Sequence, residues 1–288
     1  RCRIVTGVQT CALPISTGPI PLVVSAEPAP SQVGDAARFW VSNSDTLEMF
    51  QVTATLRYLS EHAEIWVQDG LAFDQAGLER AAQHFDERIY PTVHRYFGSE
   101  WTPGVDGNPR ITILNARFSG AAGYYSSQDE VSRQVNPYSN EREMIYVNAG
   151  AAFPGTTRYA AIVAHEFQHM VHYHLDANED SWVNEGCSEL AAWLCGFGAT
   201  GAVGSFGRRS DTQLNNWVLS PDEDPLPHYG ASYLWLGYFL QRLGPDVLKA
   251  AIAEQANGIE GFEQVLSQTP DAPSLDDLFA DWVVANLL

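Results

Sequence analysis

The sequence predicts an α+β protein in which a mixed sheet in the N-terminal half is followed by a helical C-terminal half. Short runs rich in Val, Ile and Tyr extend from residue 33 to residue 148, separated by polar turns and interrupted by one helical segment. From residue 157 onwards, apolar residues recur mostly at helical spacing. The chain has 288 residues, of which 45% are hydrophobic, so it can bury a sizeable core in one large or two small domains.

Residues 1–32 are not expected to belong to this fold. The string VTGVQTCALPI, within residues 1–20, resembles a translated sequencing adapter, and Pro21–Pro30 has the Pro/Ala-rich composition of a linker. We therefore expect an artefactual or disordered terminus, with the natural N-terminus and any signal peptide missing. We also expect a domain truncated at its C-terminus, because the last helical segment reaches Leu288 without a stop signal.

Residues 33–70 are predicted to form a small antiparallel β region with a structural role. Its strand-like runs are Ala37–Val41, Phe50–Tyr58 and Ala63–Val67. The main domain is predicted to span residues 71–288. It opens on the amphipathic helix Asp74–Phe97, in which Asp74 is a plausible N-cap and Pro91 a break or kink.

Three extended segments follow this helix: Arg110–Ala116, Gly120–Ser127 and Glu143–Asn148. The polar stretch between the last two carries five oxygen donors that could bind a structural calcium ion: Asp129, Glu130, Asn136, Asn140 and Glu141. Because these residues lack the ordered D-x-D-x-D spacing of a calcium loop, a solvated loop is the favoured interpretation.

The strongest functional signal is the H-E-x-x-H motif formed by His165, Glu166 and His169 inside an apolar, helix-like segment. Residues four apart lie on one face of a helix, about 6 Å apart along its axis, so both histidines can bind one zinc ion at about 2.0–2.1 Å. Glu166 adjoins the first histidine, where its carboxylate can take a proton from a water molecule on the metal. This arrangement indicates a zinc hydrolase.

A catalytic zinc usually has three protein ligands, so a third must be found. His172 lies about 10.5 Å along the axis from His165, too far to share an ion, and we interpret His172 and His174 as supporting or surface groups. Glu185 is the better candidate, because a polar loop and a second helix can bring it back onto the first helix. Glu189, one turn further on, could hydrogen-bond the far nitrogen of a ligand histidine, although a solvated helix face is the alternative for both glutamates.

H-E-x-x-H followed by N-E-x-x-S-[DE] resembles the signature of the glutamate-type zincins, the thermolysin and aminopeptidase N superfamily. The wording HEFQHM and WVNEG-SELA looks most like the hyicolysin-like neutral metallopeptidases. The resemblance implies a zincin-type fold with His165, His169 and Glu185 as zinc ligands, Glu166 as general base and Glu189 as their hydrogen-bonding support. Fifteen residues separate His169 from Glu185, fewer than in the better-known branches, which a shorter loop accommodates.

The resemblance also implies two substrate-facing features. The strand before the last one would be the sheet edge that pairs with the peptide, which here is Ala121, Ala122, Gly123, Tyr124 and Tyr125. Tyr229, fifteen residues before Gly244, resembles the aminopeptidase-branch tyrosine that donates to the oxyanion, although Ser232 replaces the usual glycine. The alternatives are a core role for Tyr229 and His228 as the donor.

Composition excludes some classes of partner. Asp and Glu outnumber Lys and Arg by 35 to 16, which argues against nucleic acid or an anionic membrane surface. No apolar run of eighteen or more residues is present to span a membrane. Such a surface suits a secreted or a salt-tolerant protein, and we expect secretion. Cys187 and Cys195 are about 12 Å apart on one predicted helix, beyond disulfide reach, and are expected to be buried thiols.

The sequence therefore predicts a zinc-dependent endopeptidase acting on protein or peptide substrates. A zinc exopeptidase or a non-peptide hydrolase is the first alternative, but an exopeptidase needs acidic residues to hold the substrate amine, and no motif supplies them. The second alternative is a non-catalytic binding protein on a zincin scaffold. Such a protein would be expected to lack the general base, whereas Glu166 is present here.

Overall fold

The computed structural model describes residues 20–25, 29–198, 201–217 and 224–286. The segment expected to be artefactual, residues 1–19, lies outside the described residues. Residues 20–25 and 29–32 form neither helix nor strand. No helix in the described ranges is long and apolar enough to cross a membrane.

One six-stranded mixed sheet forms the N-terminal half, in the spatial order β1-β2-β3-β4-β6-β5. Its strands are β1 (Ala36–Ser42), β2 (Met49–Leu59), β3 (Ala63–Gln68), β4 (Ile111–Ala116), β5 (Gly123–Tyr125) and β6 (Met144–Asn148). Strands β1, β2 and β3 are antiparallel, β3, β4 and β6 are parallel, and β5 is an antiparallel edge. The predicted α+β class is confirmed.

The first three strands are antiparallel, as expected, but they do not form a small sheet of their own. Ala63 of β3 pairs with Ile111 of β4, so residues 36–68 supply half of the single sheet. The reason is burial: β3, β4 and β6 are almost wholly buried along their lengths, and such strands must be covered on both faces.

The sheet is curled, and a side-chain hydrogen bond links its two edge strands without strand pairing between them. The backbone N–H of Ser42 in β1 donates to the Tyr124 hydroxyl in β5 at 2.9 Å. The side chain of Asn140 bonds both backbone groups of Trp40. The inner face of the curl holds a small core built around Phe39, Trp66 and Tyr146, while the outer face packs against helices.

Helices cover the outer face of the sheet and make the C-terminal half. They are α1 (Gln75–His84), α2 (Tyr90–Tyr96), α3 (Thr157–Leu175), α4 (Ser181–Leu194), α5 (Ala202–Arg208), α6 (Leu226–Leu243), α7 (Pro245–Ile252), α8 (Gly258–Gln268) and α9 (Leu275–Ala285). Asp74 caps α1 as predicted, accepting from the Gly77 N–H at 3.0 Å. A π-helical turn, Phe85–Ile89, joins α1 to α2, and Pro91 lies in the first turn of α2.

One sequence expectation needs correction in the connecting regions. The polar stretch of residues 128–142 is not a solvated loop, because it begins in a 3-10 turn (Ser127–Glu130) and buries Asp129, Glu130 and Asn140. Cys187 and Cys195 are buried free thiols, as predicted.

Candidate metal centre

Two helices carry the H-E-x-x-H motif and the predicted third ligand. Helix α3 begins at Thr157, behind Thr156, whose hydroxyl accepts from the Tyr159 N–H at 3.3 Å. It packs against β5 and β6 and buries Val163, Phe167 and Val171 in the main core, while His165 and His169 remain partly exposed. After the loop of residues 176–180, α4 returns along α3 and brings Glu185 to the two histidines.

The three ligand atoms form a nearly regular triangle. The Nε2 atoms of His165 and His169 are 3.1 Å apart, and Glu185 Oε2 lies 3.3 Å from the first and 3.5 Å from the second. Ligands about 2.0 Å from a tetrahedral ion are about 3.3 Å apart, so the triangle fits one face of a zinc coordination tetrahedron. Within the described ranges these residues are the one His/Cys/Asp/Glu cluster of metal-binding size. Glu185 Oε2 is also buried and makes no geometrically sound hydrogen bond.

The opposite ring nitrogens of both histidines are held by α4. His165 Nδ1 lies 3.5 Å from Glu189 Oε1, in the place the sequence predicted. His169 Nδ1 contacts the Asn184 side-chain oxygen and lies 3.0 Å from Ser188 Oγ. These contacts turn each Nε2 towards the triangle. The roles of Asn184 and Ser188 were not anticipated, although both lie inside the N-E-x-x-S-[DE] motif, next to Glu185 and one turn beyond it.

Opposing charges surround the triangle. Burial lowers the pKa of His165, but the adjacent carboxylates of Glu185 and Glu189 outweigh it and raise the pKa well above its ordinary value. Burial raises the pKa of Glu185, but the adjacent His169 and His165 hold it well below its ordinary value. The site therefore stabilises positive charge at its centre, which protons or a metal cation can supply.

Glu166 lies beside the triangle and against the sheet edge. Its side chain is buried, which raises its pKa, and the charges of His165 and His169 act in the opposite direction. A Cβ atom added to Gly123 would lie 3.3 Å from Glu166 Oε1 and 2.9 Å from the Tyr146 carbonyl oxygen. The nearest atom would be Ile162 Cγ2 at 2.4 Å, so glycine at this position lets β5 approach α3 closely beside the carboxylate.

The predicted edge strand is the sheet edge, although it is shorter than expected. Strand β5 covers Gly123 to Tyr125 and pairs with β6 on one side. Ala121 and Ala122 precede it without strand geometry, and their carbonyl oxygens accept from the side chain and backbone N–H of Asn148 at 3.0 and 2.9 Å.

Helix α6 brings Tyr229 to the same site. Burial raises the pKa of Tyr229, as do the nearby carboxylates of Glu185, Glu189 and Glu166. His228 is buried, with its ring centroid 5.8 Å from that of Trp217. Tyr229 therefore lies close enough to these three carboxylates for their charges to act on it.

His172 and His174 lie outside the triangle. His172 is fully buried, its pKa is lowered to about 3 by burial and by the charge of His169, and its Nδ1 is 3.4 Å from Gln168 Nε2. Gln168 in turn accepts from Ser188 Oγ at 2.5 Å, so His172 reaches His169 only through these two side chains. His174 is exposed.

The five residues considered for calcium are bound to protein groups instead. Asp129 accepts from Asn140 and from the Tyr146 hydroxyl, and Glu130 accepts from the Tyr125 hydroxyl. Glu141 pairs with Arg133 at 3.1 Å, and Asn136 donates to Gln128. They form no metal-sized cluster within the described part of the chain, so the calcium expectation has no support.

Comparison with known proteins gives a structural similarity alone. No protein-family model matches the sequence, and no curated protein matches it. Among solved structures, the chain is similar to a mutant of a two-domain M1 zinc metallopeptidase bound to L-tryptophan, with a TM-score of 0.44 and 12% identity over 87% of this chain. The chain spans 61% of the length of that protein. At this level of identity and overlap, the similarity assigns no activity to the chain.

Proposed function

We propose that this protein is a zinc-dependent endopeptidase of the glutamate-zincin type, and that it acts outside the cell. The observation that carries the proposal is the triangle of His165 Nε2, His169 Nε2 and Glu185 Oε2, with a buried carboxylate beside it. Two imidazoles and one carboxylate are a donor set that zinc favours in hydrolases. The narrower proposal, that the protein is hyicolysin-like, rests on the sequences HEFQHM and WVNEG-SELA around the two motifs.

His165, His169 and Glu185 would hold the ion, which when bound supplies a Lewis acid that polarises the scissile carbonyl. Glu166 takes a proton from the attacking water and delivers it to the leaving amine. Its burial, which raises its pKa, makes the carboxylate a stronger base than an exposed glutamate. The Tyr229 hydroxyl donates a hydrogen bond to the oxygen on which negative charge develops.

Cleavage within a chain is favoured over removal of terminal residues. An exopeptidase must hold the charged terminus of its substrate, and for an aminopeptidase this needs carboxylates that other groups do not occupy. Glu185 belongs to the triangle, Glu189 contacts His165, and Glu166 carries the proton. The edge of β5 that faces away from β6 can pair with an extended peptide.

The test is hydrolysis of a quenched fluorescent peptide that is acetylated at one end and amidated at the other. We expect cleavage between internal residues, loss of activity with a zinc chelator and recovery when zinc is restored. Cleavage confined to peptides with a free terminus would indicate an exopeptidase. Stoichiometric zinc without hydrolysis of any peptide would indicate a binding protein.

A further inference from the structure

A cavity of about 420 Å³ lies against the edge strand, on the side of the sheet that faces the inner core of the curl. Its walls come from the ends of β1 and β2, from β5 and from the stretch that follows β5. The residues that define it are Ser42, Met49, Tyr124, Asp129, Tyr138 and Tyr146. None of them has a role in the metal centre.

The cavity and the metal centre share the same strand. Gly123 lies beside Glu166, while Tyr124, Tyr125 and Ser126, the next three residues, line the cavity. Strand residues advance about 3.3 Å each, so a peptide paired with β5 passes both features within a few residues. Its side chains point alternately to the two faces of the sheet. Residues whose side chains face away from α3 are therefore directed towards the cavity.

The chemistry of the cavity suits a cation. Asp129 is 3% exposed and accepts from Asn140 N, Asn140 Nδ2 and the Tyr146 hydroxyl, all neutral donors, at 2.8, 2.9 and 2.6 Å. Burial raises its pKa to about 6, so it is ionised at neutral pH. The charge of Arg133 lowers this pKa, but that guanidinium pairs with Glu141 at 3.1 Å.

The aromatic walls act in the same direction. The rings of Tyr124 and Tyr146 stack with centroids 4.1 Å apart, and Tyr138 stands edge-on to Trp40 at the rim. The Tyr138 ring is exposed, so its face can attract a cation and cover the aliphatic part of a long side chain. The chain as a whole carries a formal net charge of −19, which favours basic substrates.

We propose that this cavity is a specificity subsite that receives an arginine or lysine side chain of the peptide substrate, with its charge directed to Asp129. The inference rests on the proposed peptidase function. It makes the enzyme selective for peptides with a basic residue at one fixed distance from the cleaved bond.

The test separates binding from catalysis by using Glu166→Gln protein loaded with zinc. A fluorescent octapeptide carries one arginine, moved through all positions, and each peptide is paired with its citrulline counterpart, which has the same shape and no charge. We expect arginine to bind at least about tenfold more tightly than citrulline at one position only. Asp129→Asn in the same background should bring that ratio close to one and leave citrulline binding unchanged.

A second variant guards against misfolding of Asp129→Asn. Leu47 lines the rim of the cavity and is 79% exposed, so Leu47→Arg should fold and repel the arginine peptide. Val284→Arg adds the same charge at an exposed position on α9 and should change nothing. Equal binding of arginine and citrulline at every position, or tighter binding of an aromatic residue there, overturns the subsite. If the unmutated protein still cleaves the blocked peptide, the proposed endopeptidase function survives that result. If the arginine preference and the cleavage of the blocked peptide are both absent, the subsite and the proposed function are both overturned.

Discussion

Each of the two histidines of the triangle places its two ring nitrogens in different surroundings. In His165 and His169 the Nδ1 atom is held by α4, through Glu189 and through Asn184 with Ser188. A neutral imidazole that donates from one nitrogen presents a lone pair on the other, so these contacts select the tautomer that a metal needs. The orientation of both imidazoles is therefore fixed by Glu189, Asn184 and Ser188, which lie outside the triangle.

The first prediction concerns metal content. His165→Ala and Glu185→Ala each remove one corner of the triangle, so purified protein should retain almost no zinc. His172→Ala is the matched control, because His172 lies on the same helix but outside the triangle. Metal analysis of the three proteins, each checked for folding by circular dichroism, makes the comparison. A His172→Ala protein that folds but contains no zinc would contradict the assignment of His172 to a position outside the metal site.

The second prediction concerns Glu166. Glutamine has nearly the same shape but cannot take a proton, so Glu166→Gln should keep zinc and fold while losing activity. General acid–base catalysis typically contributes about 10²–10⁴-fold, and a fall in kcat of that size is expected. Turnover close to that of the unmutated protein would show that another group is the base.

The third prediction concerns Tyr229. Tyr229→Phe removes one hydroxyl and keeps the ring, which packs against Trp217 at a centroid distance of 4.9 Å. Loss of an oxyanion donor costs about 10²–10³ in kcat, and KM should stay nearly constant because the bond strengthens only in the transition state. If kcat is unchanged, Tyr229 is a packing residue, and His228→Ala becomes the variant to measure.

At the scale of elements, the approach of α6 to α4 determines whether Tyr229 reaches the site. The two helices run side by side in the same direction, with Gly186 against Ser232 and Leu190 against Gly237. A Cβ atom at Gly186 would lie 2.9 Å from both the Cβ and the carbonyl oxygen of Ser232. The glycine that follows Glu185 thus permits the close contact between α4 and α6, the helix on which Tyr229 lies.

The fourth prediction tests this contact. Gly186→Ala should force α6 away from α4, lower the free energy of unfolding by about 1–3 kcal/mol and reduce kcat by displacing Tyr229. Gly207→Ala is the control, because a Cβ atom there meets nothing within 4 Å and alanine favours a helix. Denaturant unfolding and kcat are measured for both. A Gly186→Ala protein of unchanged stability and kcat would contradict the packing argument.

At the scale of the whole molecule, the sequence predicted helices and strands from local patterns, but it did not predict which distant strands pair with each other. Spacing alone predicted that His165 and His169 share a helix face and that Glu185 returns on a second helix. The parallel pairing of Ala63 with Ile111 joins segments far apart in the chain, and no local periodicity reports it. Burial of Asp129 in a polar stretch also depends on a distant partner, Tyr146.

The curled sheet also buries the carboxyl group of Glu143, for which the sequence suggested no particular environment. Glu143 is 3% exposed, accepts from the Val105 N–H at 2.8 Å through Oε1, and has no hydrogen-bond partner for Oε2. Gly104, at φ +82°, leaves the space that this carboxyl occupies. Burial raises the pKa of Glu143 to about 8. The Val105 N–H lowers it, while the charges of Glu130 and Asp106 raise it further.

The last prediction follows from that pKa. The carboxyl is neutral in the folded protein up to about pH 8, whereas in the unfolded chain it ionises near pH 4.5. Its contribution to stability is therefore complete below pH 4.5 and is lost as the pH rises towards 8. Glu143→Gln stays neutral throughout, so the unmutated protein should lose roughly 3–5 kcal/mol relative to this variant between those pH values. Urea unfolding at several pH values measures the difference, with exposed Glu48→Gln as the control for loss of one charge. A difference that does not change with pH would mean that Glu143 is ionised in the folded protein.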